Sequence, residues 1–164
     1  MMPSKKDTRR VDGGFVAMPL DVLDSDAYLG LSYSAKALLM EIARQYSRGN
    51  NGRLLASENY LRERGWKSSD TITRAKRELI EAGFIHEMVK GHRPNKASWY
   101  AMTWYMLDED DRFDAGTVES FELGAYRDSS PHGQMDRVER RQALYRKWDR
   151  ENDGLTPETG VGGR

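Results

Sequence analysis

Between residues 32 and 47 the apolar positions are Ala35, Leu38, Leu39, Ile42, Ala43 and Tyr46. Their three- and four-residue spacing returns to one side of a helix at every turn. The pattern predicts a core-facing helix from Ser32 or Ser34 to about Ser47, stopped by the Arg-Gly-Asn-Asn-Gly stretch at 48–52. Arg53-Leu54-Leu55 is long enough only for a minimal strand. Ser57 then offers an N-cap for a short second helix through Arg64, with Tyr60 and Leu61 facing inward. Gly65 supplies a sharp turn and Trp66 fills the corner. Ser68 or Ser69 caps a third helix, with Asp70 at its positive end and Gly83 as its stop.

Beyond Gly83 the period changes. Residues 84–89 set Ile85 and Glu87 against Phe84, His86 and Met88. Residues 97–104 set Trp99, Ala101 and Thr103 against Tyr100, Met102 and Trp104. Both read as strands, joined by a hairpin loop at 91–96. Ahead of these elements, residues 1–14 read as a flexible arm ending at Gly13-Gly14. Residues 15–20 read as a short strand or extended segment stopped by Pro19, and 21–30 as a helical turn. After Leu107 the acids Asp108 to Asp111 read as a hydrophilic linker. Residues 112–134 alternate weakly around Val118, Phe121 and Leu123. Residues 136–150 carry a partial helical stripe of Val138, Leu144, Tyr145 and Trp148, and 152–164 have a disordered composition. The expected organisation is an arm (1–14), a folded domain (15–107) and a partly disordered acidic tail (108–164) with a candidate helix at 136–150. The fold class is α+β, mainly α with a small β-hairpin.

Composition narrows the setting. With 38% hydrophobic and 32% charged residues and a mean hydropathy of -0.81, the chain supports one modest core and a large wetted surface. No stretch of eighteen apolar residues predicts a transmembrane helix, and the polar, basic first eleven residues do not resemble a secretory signal. Absence of cysteine excludes disulfides and thiolate zinc sites and suits a reducing cytoplasm. The net charge of zero divides unevenly. Residues 1–107 hold 17 Lys+Arg against 12 Asp+Glu, whereas 108–164 hold 9 against 14. A basic body suits a polyanionic partner, because neutralising phosphates releases condensed counterions.

At 100 degrees per residue the third helix, expected at about 69–82, gathers Ile72, Ala75, Leu79 and Ala82 on one side. Asp70, Thr73, Arg74, Arg77 and Glu81 lie opposite. Thr73, Arg74 and Arg77 therefore project from the first turns, where a helix entering a major groove meets base edges. Lys67, Ser68, Ser69 and Lys76 are placed for DNA-backbone contacts, and Glu78 and Glu81 fall on the departing last turn. The hairpin tip adds His92, Arg93, Asn95 and Lys96 beside the helix. The competing reading is an ordinary solvated face with a polar turn, which accounts for Gly91, Pro94 and Asn95 but not for three basic side chains together.

The segment from the Ser32 helix through Trp104 resembles a winged helix-turn-helix domain. The string Glu78-Leu79-Ile80-Glu81-Ala82-Gly83-Phe84-Ile85 is similar to the junction between recognition helix and wing in that superfamily. The Phe15-to-Leu20 lead and the Asn50-Asn51-Gly52 turn resemble small helix-turn-helix proteins of phages, plasmids and integrated mobile elements. The resemblance covers little over half of the chain. It implies groove-facing residues between Ser68 and Arg77 and a wing at 92–96. The implied role is transcriptional regulation, with replication initiation or replisome loading as the alternative, and a homodimer on paired half-sites by analogy. A third reading is a protein-interaction module on the same scaffold.

No catalytic constellation stands out. The glycines at 160, 162 and 163 lack a Gly-Lys-Ser/Thr ending, and His86, His92 and His132 lack ligand spacing. Four consecutive acids at 108–111 are better solvated than gathered on a metal. The expectation is a non-enzymatic, cofactor-free, metal-free cytoplasmic protein whose partner is double-stranded DNA, with a second protein partner reached through the 108–164 tail.

Overall fold

The computed structural model describes residues 11–128. The expected helix at 136–150, the 152–164 end and the first ten residues of the arm lie outside them. The described residues form an α+β body whose elements follow one another as α1 (Leu20–Leu23), α2 (Asp26–Leu29), α3 (Tyr33–Ala43), β1 (Leu54–Leu55), α4 (Glu58–Glu63), α5 (Ser69–Glu81), β2 (Ile85–Val89), β3 (Trp99–Met102) and α6 (Thr117–Ser120). A 3-10 turn at Ala125–Arg127 closes the described chain.

Serine sets the start of four helices. Ser25, Ser32, Ser57 and Ser68 have extended backbones, and each side-chain oxygen accepts the amide three residues ahead. Each such cap is worth about 1 kcal/mol over alanine. Helices α4 and α5 also end alike. Gly65 and Gly83 take positive φ (89° and 77°), which lets the next amide, of Trp66 or Phe84, reach back to the carbonyl of Leu61 or Leu79. The two reversals turn the chain from α4 into α5 and from α5 into β2.

Of the two readings for the lead, residues 15–19 take the extended one and run without regular structure into α1, with Val16 and Met18 packed on the core. One expectation near the front is corrected. Helix α3 stops at Ala43 rather than near Ser47. Its last residues are diverted because the Gln45 amide binds both the carbonyl and the N–H of Leu55 at 2.8 Å, doing for β1 what a fourth strand would do. Asn50 then ties off the Gln45 carbonyl and the Ser47 amide.

The sheet is antiparallel in the order β1-β3-β2. Leu54 faces Tyr100, and Ile85 faces Met102. These residues share the side of the sheet that joins the buried stripes of α3 (Ala35, Leu38, Leu39, Ile42) and α5 (Ile72, Ala75, Leu79) in one core. The register shifts between Glu87 and Val89, so Met88 and Val89 are both buried and the simple alternation expected for this strand fails.

Residues 108–121, expected as linker and tail, instead cover the other side of the sheet. Arg112 stacks on Trp99 at 4.8 Å, Phe113 lies over Gly52, and Phe121 meets the His86 ring edge-on. The amide of Asp114 donates to Met88 and its carboxylate accepts from Lys90 N–H. Farther on, Tyr126 is buried, stacks on Phe84 at 5.3 Å and donates to Asp21 near the start of α1. The packed body thus runs past the expected boundary at 107. The charge division moves with it: residues 108–128 hold eight Asp+Glu against two Lys+Arg, while 129–164 hold six against seven. The acidity belongs to the layer on the sheet.

Asn51 joins this layer to the core. It is fully buried, its amide NH2 reaches the carbonyls of Met102, Tyr105 and Met106, and its side-chain oxygen accepts Met102 N–H at 2.8 Å. Its own backbone exchanges hydrogen bonds with Asp108. One side chain thereby satisfies the main chain where β3 ends, so burial there leaves few polar groups unpaired.

Candidate functional site

The outward side of α5 is the one the periodicity predicts. Ile72, Ala75, Leu79 and Ala82 are buried, and Asp70, Thr73, Arg74, Arg77 and Glu81 are exposed. Thirteen residues give a rod of about 20 Å. Burial of its inner stripe against α3 and the sheet holds the rod in place without using any of the outward side chains. Truncating a core residue such as Leu79 costs about 2–5 kcal/mol, whereas the exposed arginines carry little of that load.

Each outward group has a definite state. Thr73 donates its hydroxyl to the Ser69 carbonyl at 2.9 Å, so it offers a solvent-facing partner its methyl group and its remaining acceptor lone pairs. Arg74 pairs with Asp70 one turn back at 2.9 Å, with both side chains well exposed. Such a surface pair is worth well under about 1 kcal/mol and exchanges readily for a stronger anion. The Arg77 side chain makes no ion pair or hydrogen bond among the described residues.

At the start of the helix Ser68 accepts from Thr71 N–H, as a cap should. Ser69 also ties α5 to its neighbour. Its hydroxyl donates to Glu58 at 2.6 Å, on a carboxylate that also accepts from Arg62. These bonds, that of Ser69 first, hold the Glu58 carboxyl below its ordinary range. The tie locks the start of α5 against the start of α4. It also leaves the Ser69 hydroxyl engaged, so the first-turn amides are the donors this end can offer an anion. Lys67 is exposed.

Lys76 does not join the outward group. Its side chain is half-buried, its ammonium lies 3.5 Å from the Ala56 carbonyl, and burial pushes its pKa down while Glu87 and Glu58 oppose the shift. It points along the flank of α5 toward Ala56 and Glu87, away from the outward face where a backbone contact is expected of it.

The hairpin tip is held by paired backbone bonds between His92 and Lys96 at 2.9 and 3.0 Å. His92, Arg93, Asn95 and Lys96 are all exposed. Arg93 is close enough for its charge to stabilise the Glu58 carboxylate, the group bonded to Ser69. The tip and the first turn of α5 therefore share one side of the molecule. Ser68, Ser69, Thr73, Arg74 and Arg77 are exposed together along the first turns of α5, Lys76 lies on its flank, and Arg93 and Lys76 both lie within electrostatic reach of Glu58.

Sequence reasoning misses two ties that orient this surface. One is the Ser69–Glu58–Arg62 cluster. The other is Glu78, which the wheel places as a bystander of the last turn. Its carboxylate takes the Ser32 amide at 2.6 Å and the Ser32 hydroxyl at 2.7 Å. Glu78 thus clamps the end of α5 to the start of α3. Neither tie has a sequence signature, because the partners are 11 and 46 residues apart. Among the described residues no group of three or more His, Asp or Glu is placed to hold a metal ion, and no helix is long and apolar enough to cross a membrane. Comparison of the chain with protein-family models, with curated proteins and with solved structures returned no match.

Proposed function

We propose that this chain is a winged helix-turn-helix protein that binds duplex DNA without catalysing a reaction on it. Helix α5 is the recognition helix and the 92–96 hairpin the wing. The order helix, short strand, helix, helix, hairpin supports the reading, as does the β1-β3-β2 sheet that backs the helix pair. The observation that carries it is the shared exposure of Thr73, Arg74 and Arg77 on a helix clamped at both ends, with the Arg93 tip alongside.

In this reading Arg74 and Arg77 bind guanine O6 and N7 in the major groove, and Thr73 meets a thymine methyl or a base N–H. Lys67, the first-turn amides of α5 and the wing cations hold phosphates and set the register. Lys76 contributes through its field rather than by contact. Transcriptional regulation is the favoured role, by resemblance.

The test is selection of bound sequences from a random duplex pool by the purified full chain, followed by titrations across a salt range. A preferred site and an affinity that falls with salt are the expected results. Changing Arg93 and Lys96 together to Ala should weaken binding to every sequence and lower the salt slope by about 2. Salt-insensitive or absent binding to the pool would overturn the reading and leave the protein-interaction alternative.

A further inference from the structure

The 108–121 layer carries a groove that the DNA reading does not use. Its volume is about 380 Å³, with Leu107, Phe113 and Val118 as an apolar floor. Asp108, Glu109, Asp110 and Asp111 complete its lining. Two of these acids are engaged in the fold. Asp108 accepts the Asn51 amide, and Asp110 binds Arg112 and lies 3.7 Å from Arg53. Glu109 and Asp111 point to solvent and make no hydrogen bond or ion pair among the described residues. Val118 is half exposed and neighbouring Met106 is 72% exposed, so apolar surface meets water beside the exposed acids Glu109 and Asp111.

The same chain contains a segment of the opposite character. Residues 136–150 hold six Lys+Arg against three Asp+Glu, net +3, interleaved with Val138, Leu144, Tyr145 and Trp148. Seven residues, 129–135, separate this segment from the last described residue, Asp128. A connector of that length spans up to roughly 25 Å, more than half the diameter of about 35 Å expected for a body of this size. Tethering also gives the segment a high effective concentration at its own body, which a separate partner must match.

We propose that residues 136–150 dock in cis on this groove. The apolar side chains cover Leu107, Phe113 and Val118, and the arginines face Glu109 and Asp111. The docked segment hides the exposed apolar surface and neutralises a layer that otherwise carries a net charge of -6 over residues 108–128. This stands independently of the DNA reading, since it uses the opposite side of the sheet.

The chain has no cysteine, so one introduced thiol labels one place. In the full chain Q142C is tagged with a nitroxide, and amide intensities are compared before and after the label is reduced. Among the described residues, loss of intensity centred on residues 107–118 is expected. It should vanish in about 0.5 M NaCl, where the Debye length falls to a few ångströms, and in an E109K/D111K variant. The same loss in a mixture of labelled and isotope-enriched unlabelled chains would show docking between two copies and overturn the cis proposal. Intensity loss centred on α5 and the hairpin, or no selective loss at all, would overturn it as well.

Discussion

On one side of the three-stranded sheet, α5 shows Thr73, Arg74 and Arg77 to solvent; on the other, residues 108–121 lay acids against the body. Both regions are strongly charged, yet their charges are employed differently. Asp108 and Asp114 accept amides of the body and hold the layer down, and Asp110 braces the Arg112 side chain that lies over Trp99. The outward α5 arginines hold nothing down: Arg74 keeps a weak exposed partner, and Arg77 keeps none among the described residues. The outward arginines of α5 are thus left available, while most of the bonded acids of the layer are committed to the fold. A rigid support with uncommitted side chains is what a binding face requires, because nothing must be broken before the partner arrives.

The comparison can be broken most decisively at Asn51. Asn51→Ala strands one buried N–H and three carbonyls, and should cost about 3–5 kcal/mol in urea unfolding. Affinity for duplex, per folded molecule, should stay the same. A loss below about 1 kcal/mol would mean that the layer is not fastened through this residue. The reciprocal test lies on α5. Arg74→Ala or Arg77→Ala should weaken binding to the selected duplex by about 1–3 kcal/mol while unfolding moves by no more than about 0.5 kcal/mol. If stability falls and binding does not, the two sides have exchanged roles.

Acid titration sharpens the same contrast. The Arg112 side chain, with its amide second, holds the Asp110 carboxyl at about 2, below its ordinary 3.8. A depressed folded pKa gives stability that is present above about pH 4 and is lost as pH falls through about 2. Asp110→Asn should therefore unfold more easily than the parent at pH 7, with the difference shrinking toward about pH 2 in denaturant midpoints. A constant gap across that range would show that Asp110 acts through packing alone. The smallest effect is expected at Asp70. Asp70→Asn frees Arg74 and removes a negative charge from the binding face, so duplex affinity should rise by less than about 1 kcal/mol. Weaker binding would indicate that Asp70 contacts a base itself.

How much of the molecule is legible in the sequence depends on distance along the chain. Local signals hold: the serine caps, the positive-φ glycines and the buried stripes of α3 and α5 all act within a few residues, and they place Thr73, Arg74 and Arg77 outward. Signals fail where a partner is remote. Helix α3 ends early because Gln45 finds Leu55, Ser69 is engaged because Glu58 sits on the preceding helix, and Asp108 is bonded because Asn51 lies 57 residues away. The layer at 108–121 escapes a sequence reading for a related reason. A run of acids looks like a solvated linker until the bonds it makes are known, and its apolar anchors, Phe113 and Phe121, are too sparse to set up a period.

Asn51 touches its neighbours at 102, 105 and 106 only through their main chain. A lock of that kind is blind to side chains. Across variants of this protein, positions 105 and 106 are free to drift as far as the Asn51 contact is concerned, while position 51 itself is not, since neither aspartate nor glutamine presents the same donors and acceptor at the same reach. The end of β3 should thus record substitution freely around a single immobile letter. A library randomised at 51 and 106 and sorted for folding should return asparagine at the first position and variety at the exposed second.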